Sequence, residues 1–147
     1  MAAIRNVAKK RLPKYEQRAG KLRLVNFWAT WCGPCVTEFP DLVEINRMYR
    51  HRTFELVTVA ANFPDERAEV LAFLKKQQSS GRNLLFGDKE KYALMEAFDK
   101  DWNGGLPYTM LISPTGEVLY KQQGAIDPLE LKRIIVKSMK DERFKDK

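Results

Sequence analysis

From Leu22 to Trp28 the chain carries Leu22, Leu24, Val25, Phe27 and Trp28, a nearly continuous apolar run of the kind a strand buried on both faces requires. Phe54 to Ala61 (Phe-Glu-Leu-Val-Thr-Val-Ala-Ala) predicts a second core strand. Between them the period changes. Val36, Phe39, Leu42, Val43 and Met48 recur at helical intervals, which predicts a helix from Pro34 to about Arg50, kinked at Pro40. Pro64-Asp65-Glu66 opens a further helix carrying Val70, Phe73 and Leu74, and Ser79-Ser80-Gly81 stops it. Leu84-Leu85-Phe86 predicts a short strand and Lys89 to Phe98 another short helix.

Gly104-Gly105-Leu106-Pro107 breaks the chain. Tyr108 to Ser113 then predicts a strand, Pro114-Thr115-Gly116 a turn, and Val118 to Gln122 its hairpin partner. Asp127 at the N-cap and Pro128 at the first helical position open a last helix, with Leu131, Ile134, Ile135 and Ser138 on its inner face. At the other end, Ala3 to Gln17 is rich in Ala, Lys and Arg and predicts a helix, split at Pro13 and stopped at Ala19-Gly20-Lys21. The order βαβα, then a small αβ element, then ββα predicts an α/β fold: a mixed central sheet with helices on both faces.

Composition narrows this picture. The chain has 147 residues, which predicts one domain over residues 1–147, with a basic helical segment at 1–20 and a frayed tail at 140–147. No apolar run approaches the ~18 residues of a membrane span. The net charge of +7 is gathered at Lys9-Lys10-Arg11, at Lys75-Lys76 and in the tail, and reads as solvated helix ends. No aromatic-plus-basic recognition motif accompanies it, so no nucleic-acid partner is expected. Met1-Ala2-Ala3-Ile4-Arg5-Asn6 lacks the apolar stretch of a signal peptide, which leaves two expectations open: a cytoplasmic protein, or one whose natural leader has been removed.

The two cysteines, Cys32 and Cys35, stand three positions apart, which excludes a scattered disulfide framework. A closed zinc site would need about four ligands, and the one histidine, His51, leaves it short of them, so no metal is expected. Two buried, inert thiols are the bland alternative. The motif Cys32-Gly33-Pro34-Cys35 instead falls where a buried strand meets a helix. There Cys32 lies near the free amides of the helix N-terminus, whose partial positive charge stabilises a thiolate, the form that attacks disulfides. Cys35, one helical step deeper, can then resolve the mixed disulfide. Gly33 lets a substrate chain approach, and Pro34 fits a first turn where its missing N–H has no intrahelical partner. Trp31 is expected on the substrate-facing surface and Trp28 in the core.

On these residues the chain resembles the thioredoxin superfamily. Val25-Asn26-Phe27-Trp28-Ala29-Thr30-Trp31-Cys32-Gly33-Pro34-Cys35 is close to its active-site segment, and Pro40 matches its helix proline. Gly105-Leu106-Pro107-Tyr108-Thr109 resembles the loop carrying its cis-proline. The resemblance implies that Leu106–Pro107 is cis, lies beside the cysteines, and pairs its backbone with a substrate strand. Within the superfamily the chain is similar to the TlpA/ResA-type branch. Asn26 stands where thioredoxin has a buried acid, Glu38 matches an active-site acid of that branch, and Asn62 to Asn103 has room for its inserted αβ element. Glu38, at i,i+3 from Cys35, can share its face, raise thiol pKa values and accept a proton. Members commonly open with a β-hairpin, where this chain has a basic segment.

The resemblance implies a thiol–disulfide oxidoreductase, reducing rather than oxidising as the Gly-Pro pair suggests. Cys32, Cys35 and Glu38 would be catalytic, and Trp31, Gly33, Pro34, Leu106 and Pro107 substrate-binding. No cofactor beyond the redox-active disulfide is implied. The expected partners are protein disulfides or dithiols and a separate redox partner, met by a monomer. If a leader has been removed, the resemblance implies a periplasmic or extracytoplasmic location. A non-catalytic thioredoxin-fold binding domain is the alternative, which the presence of both cysteines opposes.

Overall fold

The structure is a computed structural model that describes residues 5–7, 20–86 and 98–141. Its strands are β1 (Arg5–Val7), β2 (Leu22–Trp28), β3 (Phe54–Ala60), β4 (Arg82–Phe86), β5 (Tyr108–Ile112) and β6 (Val118–Gln123). Its helices are α1 (Gly33–Tyr49), α2 (Arg67–Gln77), entered through a 3-10 turn at Pro64–Glu66, and α3 (Pro128–Lys140). The six strands form one sheet in the order β1-β4-β3-β2-β5-β6. The apolar run at Leu22–Trp28 becomes a central strand, parallel to β3 and antiparallel to β5. β4, brought in by the segment after β3, pairs parallel with β3, and β5 and β6 form an antiparallel pair.

Successive side chains of a strand point to opposite faces, so β2 feeds two cores. Leu22, Leu24 and Trp28 join α1, α2 and α3 in one apolar cluster, while Val25 and Phe27 join Val57, Val59, Trp102, Tyr108 and Met110 in a second. Phe98, a helical residue, and Trp102 cover the second face, where Phe27 meets the Phe98 ring at 4.6 Å. The rest of the helix expected from Lys89 to Phe98 lies outside the described residues. On the first face the rings of Trp28, Phe39 and Phe73 meet at 4.8–5.2 Å and lock α1 and α2 to the sheet.

A buried polar row crosses this first face. Thr109, Asn26 and Thr58 are in register on β5, β2 and β3, and Thr58 pairs with Asn83 of β4. Asn26 Nδ2 donates to Thr109 Oγ1 at 2.9 Å and Thr58 Oγ1 to Asn83 Oδ1 at 2.7 Å, so the row satisfies much of its own hydrogen bonding.

Local chemistry explains the helix ends. Asp127 Oδ1 accepts from the N–H groups of Leu129 and Glu130, and Pro128 occupies the first turn, as expected. α1 runs unbroken through Pro40. α2 ends on Gln78, in left-handed conformation at φ 56°, one residue before the expected stop. Gly81 then passes against β3 so closely that a Cβ would stand 2.8 Å from the Leu56 carbonyl oxygen.

One expectation is corrected. Arg5–Val7, placed in a helix by composition, is a strand pairing parallel with Leu84–Phe86. The outer edge of β4 offers a row of unpaired backbone groups, and pairing with them outweighs a weak local helix preference. The rest of the expected helix, residues 8–19, and the tail beyond Asp141 lie outside the described residues.

Candidate active site

Three loops meet at one end of the sheet. β2 ends at Trp28 and leads through Ala29-Thr30-Trp31 to Cys32; β3 ends at Ala60 and leads to Asn62; and β5 begins at Tyr108, directly after Pro107. Tyr108 is in register with Phe27 and Asn26 with Thr109, so Pro107 arrives beside the end of β2 although it is remote in sequence. The Ala61 N–H donates to the Trp28 carbonyl at 2.7 Å and closes the same end on the β3 side.

Cys32 is the N-cap of α1. Its Sγ accepts from the Cys35 N–H at 3.3 Å, and its carbonyl accepts from the Val36 N–H at 3.1 Å. The two cysteines are disulfide-bonded, with Cα atoms 5.3 Å apart. Their exposure is unequal: Cys32 is 8% exposed and Cys35 is fully buried at 0%. Gly33 and Pro34 are exposed, and apart from its chain neighbours and its own helix backbone a Cβ on Gly33 would meet no atom within 4 Å. Trp28 is fully buried, as expected of a core residue, and Trp31 is 57% exposed.

The Leu106–Pro107 bond is cis, as expected. Leu106 is half-buried and packs against the apolar cluster containing Cys32 and Cys35, whereas Pro107 is buried. The Pro107 carbonyl accepts from the Gly124 N–H at 2.8 Å, which ties the loop to the end of β6.

Glu38, one turn along α1 from Cys35, is buried at 6% exposure. Its Oε2 accepts from the Ile126 N–H at 2.9 Å, so it links α1 to the loop before α3. The Asn26 amide faces the carboxyl without completing a full hydrogen bond, and Oε1 has no partner. Burial pushes this carboxyl above the ordinary glutamate range. The Ile126 N–H and the Asn26 amide pull it back, Asp41 repels it, and burial is the largest effect. A buried carboxyl raised in this way can hold or release a proton near neutral pH more readily than an exposed one.

Sequence reasoning missed Asn62. Its Oδ1 accepts from the Thr30 N–H at 3.2 Å, and its Nδ2 donates to Thr30 Oγ1 at 2.8 Å and to Glu66 Oε1 at 3.2 Å. The loop leading to Cys32 is thereby bound to the end of β3. The one available signal was a polar residue directly after the run Thr-Val-Ala-Ala. Among the described residues no group of three or more His, Cys, Asp or Glu is placed to hold a metal ion, and no helix is long and apolar enough to cross a membrane.

The chain is similar to known proteins. The Redoxin family profile matches residues 11–135. The thiol:disulfide interchange protein CycY of Rhizobium leguminosarum bv. viciae is 33% identical over 121 residues, 82% of this chain and 59% of that protein. The thiol-disulfide oxidoreductase ResA of Bacillus subtilis is 32% identical over 100 residues, 68% of this chain and 51% of that protein. The chain thus spans about half the length of these curated relatives. A solved thiol:disulfide interchange protein of the thioredoxin family from Chlorobium tepidum is 27% identical, with a TM-score of 0.69 over 86% of this chain and 83% of that one. With a profile match over most of its length and a thioredoxin-like sheet carrying the cysteine pair at its end, the chain belongs to the Redoxin family.

Proposed function

We propose that the protein is a thiol–disulfide oxidoreductase that reduces protein disulfides by dithiol–disulfide exchange at Cys32 and Cys35. The observation that carries this reading is the unequal exposure of two bonded cysteines at a helix mouth. Only Cys32 can be reached from solvent, and the Cys35 N–H that meets its Sγ is placed to stabilise a Cys32 thiolate.

In the reduced protein the Cys32 thiolate attacks one sulfur of a substrate disulfide, and the other substrate sulfur leaves as a thiol. Cys35 loses its proton to the ionised Glu38 carboxylate and attacks Cys32 Sγ. The second substrate sulfur leaves and takes up a proton. Two electrons pass from the protein dithiol to the substrate, and Cys32–Cys35 is left oxidised. A separate redox partner restores the dithiol, and no cofactor other than the disulfide takes part. Glu38 is the proton carrier in this scheme. Trp31, Gly33, Pro34 and the Leu106–Pro107 loop form the surface on which the substrate chain lies.

Insulin reduction tests this reading. With a dithiol reductant as electron source, the wild-type protein is expected to turn over, and Cys32→Ser to fall to the uncatalysed rate. A wild type with no activity above reductant alone would make the chain a binding domain rather than an enzyme.

A further inference from the structure

Few large apolar side chains are exposed among the described residues: Trp31, Met48, Phe63, Val118 and Leu129. Two of them, Trp31 at 57% and Phe63 at 52%, stand at the end of the sheet that holds the cysteines. Each comes one residue after a member of the tied pair, Thr30 on the β2 side and Asn62 on the β3 side. Consecutive Cα atoms are only about 3.8 Å apart, so the tie brings the backbones of Trp31 and Phe63 to the same end of the sheet. Glu66 strengthens it by accepting from Asn62 Nδ2 at 3.2 Å and from the Phe63 N–H at 2.8 Å. Pro64 then begins the 3-10 turn and limits the backbone behind the ring. An exposed aromatic on so restrained a backbone loses little further freedom when it binds.

Topology gives the pair its place. β2 lies between β3 and β5, so the Cys32 loop has the Phe63 loop on one side and the Leu106–Pro107 loop on the other. On the exchange reading, a substrate chain across Cys32 would have the proline loop on one side and the Phe63 loop on the other. In an extended chain, residues two apart point to the same face. When a substrate cysteine points its sulfur at Cys32, the side chain two positions away also points at the protein.

Resting on the exchange proposed at Cys32, we infer that Phe63 is a specificity-determining residue. With Trp31 it forms an apolar platform for a large apolar side chain two residues from the substrate's reactive cysteine. The protein therefore prefers disulfides in extended, apolar segments, such as those exposed before a substrate has folded, over disulfides flanked by small polar residues.

The test uses two disulfide-linked peptide dimers, one with Leu and one with Ser two residues before and after the cysteine. The pre-reduced protein is mixed with each, and the second-order rate constant of disulfide transfer is measured over a single turnover. The wild type is expected to favour the Leu peptide about tenfold, the scale of partial burial of one large apolar side chain. Phe63→Ala is expected to bring that ratio to within about twofold, and Phe63→Leu to keep most of it because apolar contact area remains. A ratio unchanged in Phe63→Ala, or a wild type reducing both peptides equally, would overturn the platform while leaving the exchange reading intact. A wild type that reduces neither peptide would overturn the exchange itself.

Discussion

Asn26 stands at the heart of β2, 1% exposed, with its amide donating to Thr109 and facing Glu38. Asn26→Asp changes almost no volume, so its effect isolates charge from packing. The introduced carboxyl would sit where complete burial raises an acid by up to about 3–5 pKa units. The Thr109 hydroxyl can turn to donate to it and recover part of that, so roughly 3 units is a fair net figure above an ordinary value of about 3.9. At about 1.36 kcal/mol per unit, the folded state then loses about 4 kcal/mol once the unfolded chain is fully ionised and the folded one is forced to ionise too. The sign follows from proton binding. In the window between the two pKa values the folded protein holds a proton that the unfolded chain has released, so stability falls as pH rises. At about pH 4 the folded carboxyl is protonated and the unfolded one only about half ionised, so the variant should stand within about 1 kcal/mol of wild type. The assay is urea unfolding of the oxidised protein at about pH 4 and about pH 8, where nearly the whole penalty has developed. An equal loss at both pH values would show that packing, not desolvation, governs the site. No loss at either would show that water reaches Asn26.

Two further outcomes follow from the same physics. Glu38→Gln removes a carboxyl that burial holds above its ordinary range. Wild-type stability relative to the variant should therefore decline as pH climbs through that raised titration, and resolution of the mixed disulfide by Cys35 should slow roughly 100-fold if Glu38 accepts its proton. Unfolding curves across pH and a stopped-flow trace of the resolving step would read the two effects. Tyr108→Phe removes the hydroxyl that donates to Asp99 Oδ2 at 2.6 Å, the first cause holding the Asp99 carboxyl below its usual range. It should cost about 1 kcal/mol at neutral pH. That loss should shrink in acid as Asp99 protonates, and a loss independent of pH would contradict the assignment.

The sheet was largely legible because β2 and β3 are buried on both faces and therefore write long apolar runs, unlike a half-buried strand. Asp127-Pro128 was equally legible, since a cap acts within a few residues of itself. What depends on distant partners was not. Glu38 could as well have been a surface glutamate, because the N–H that fixes it belongs to Ile126, 88 residues away. Asn62 gave no sign of its role, since its partner Thr30 lies 32 residues before it. The polar row across β5, β2, β3 and β4 exists only once register is set, and no single strand announces it. Arg5–Val7 failed for the converse reason: helix-favouring composition was read where the edge of β4 supplies a pairing partner.

The most direct test of the central claim is capture of a mixed disulfide by Cys35→Ser. The reduced variant is mixed with a peptide disulfide, quenched in acid, and mapped by mass spectrometry. Because only Cys32 is reachable and its resolving partner is gone, the adduct is expected on Cys32, persistent and stoichiometric, while wild type passes through it to the Cys32–Cys35 disulfide. Turnover by Cys35→Ser at the wild-type rate, or a Cys32→Ser variant that forms the adduct on Cys35 just as fast, would contradict the division of labour between the two thiols.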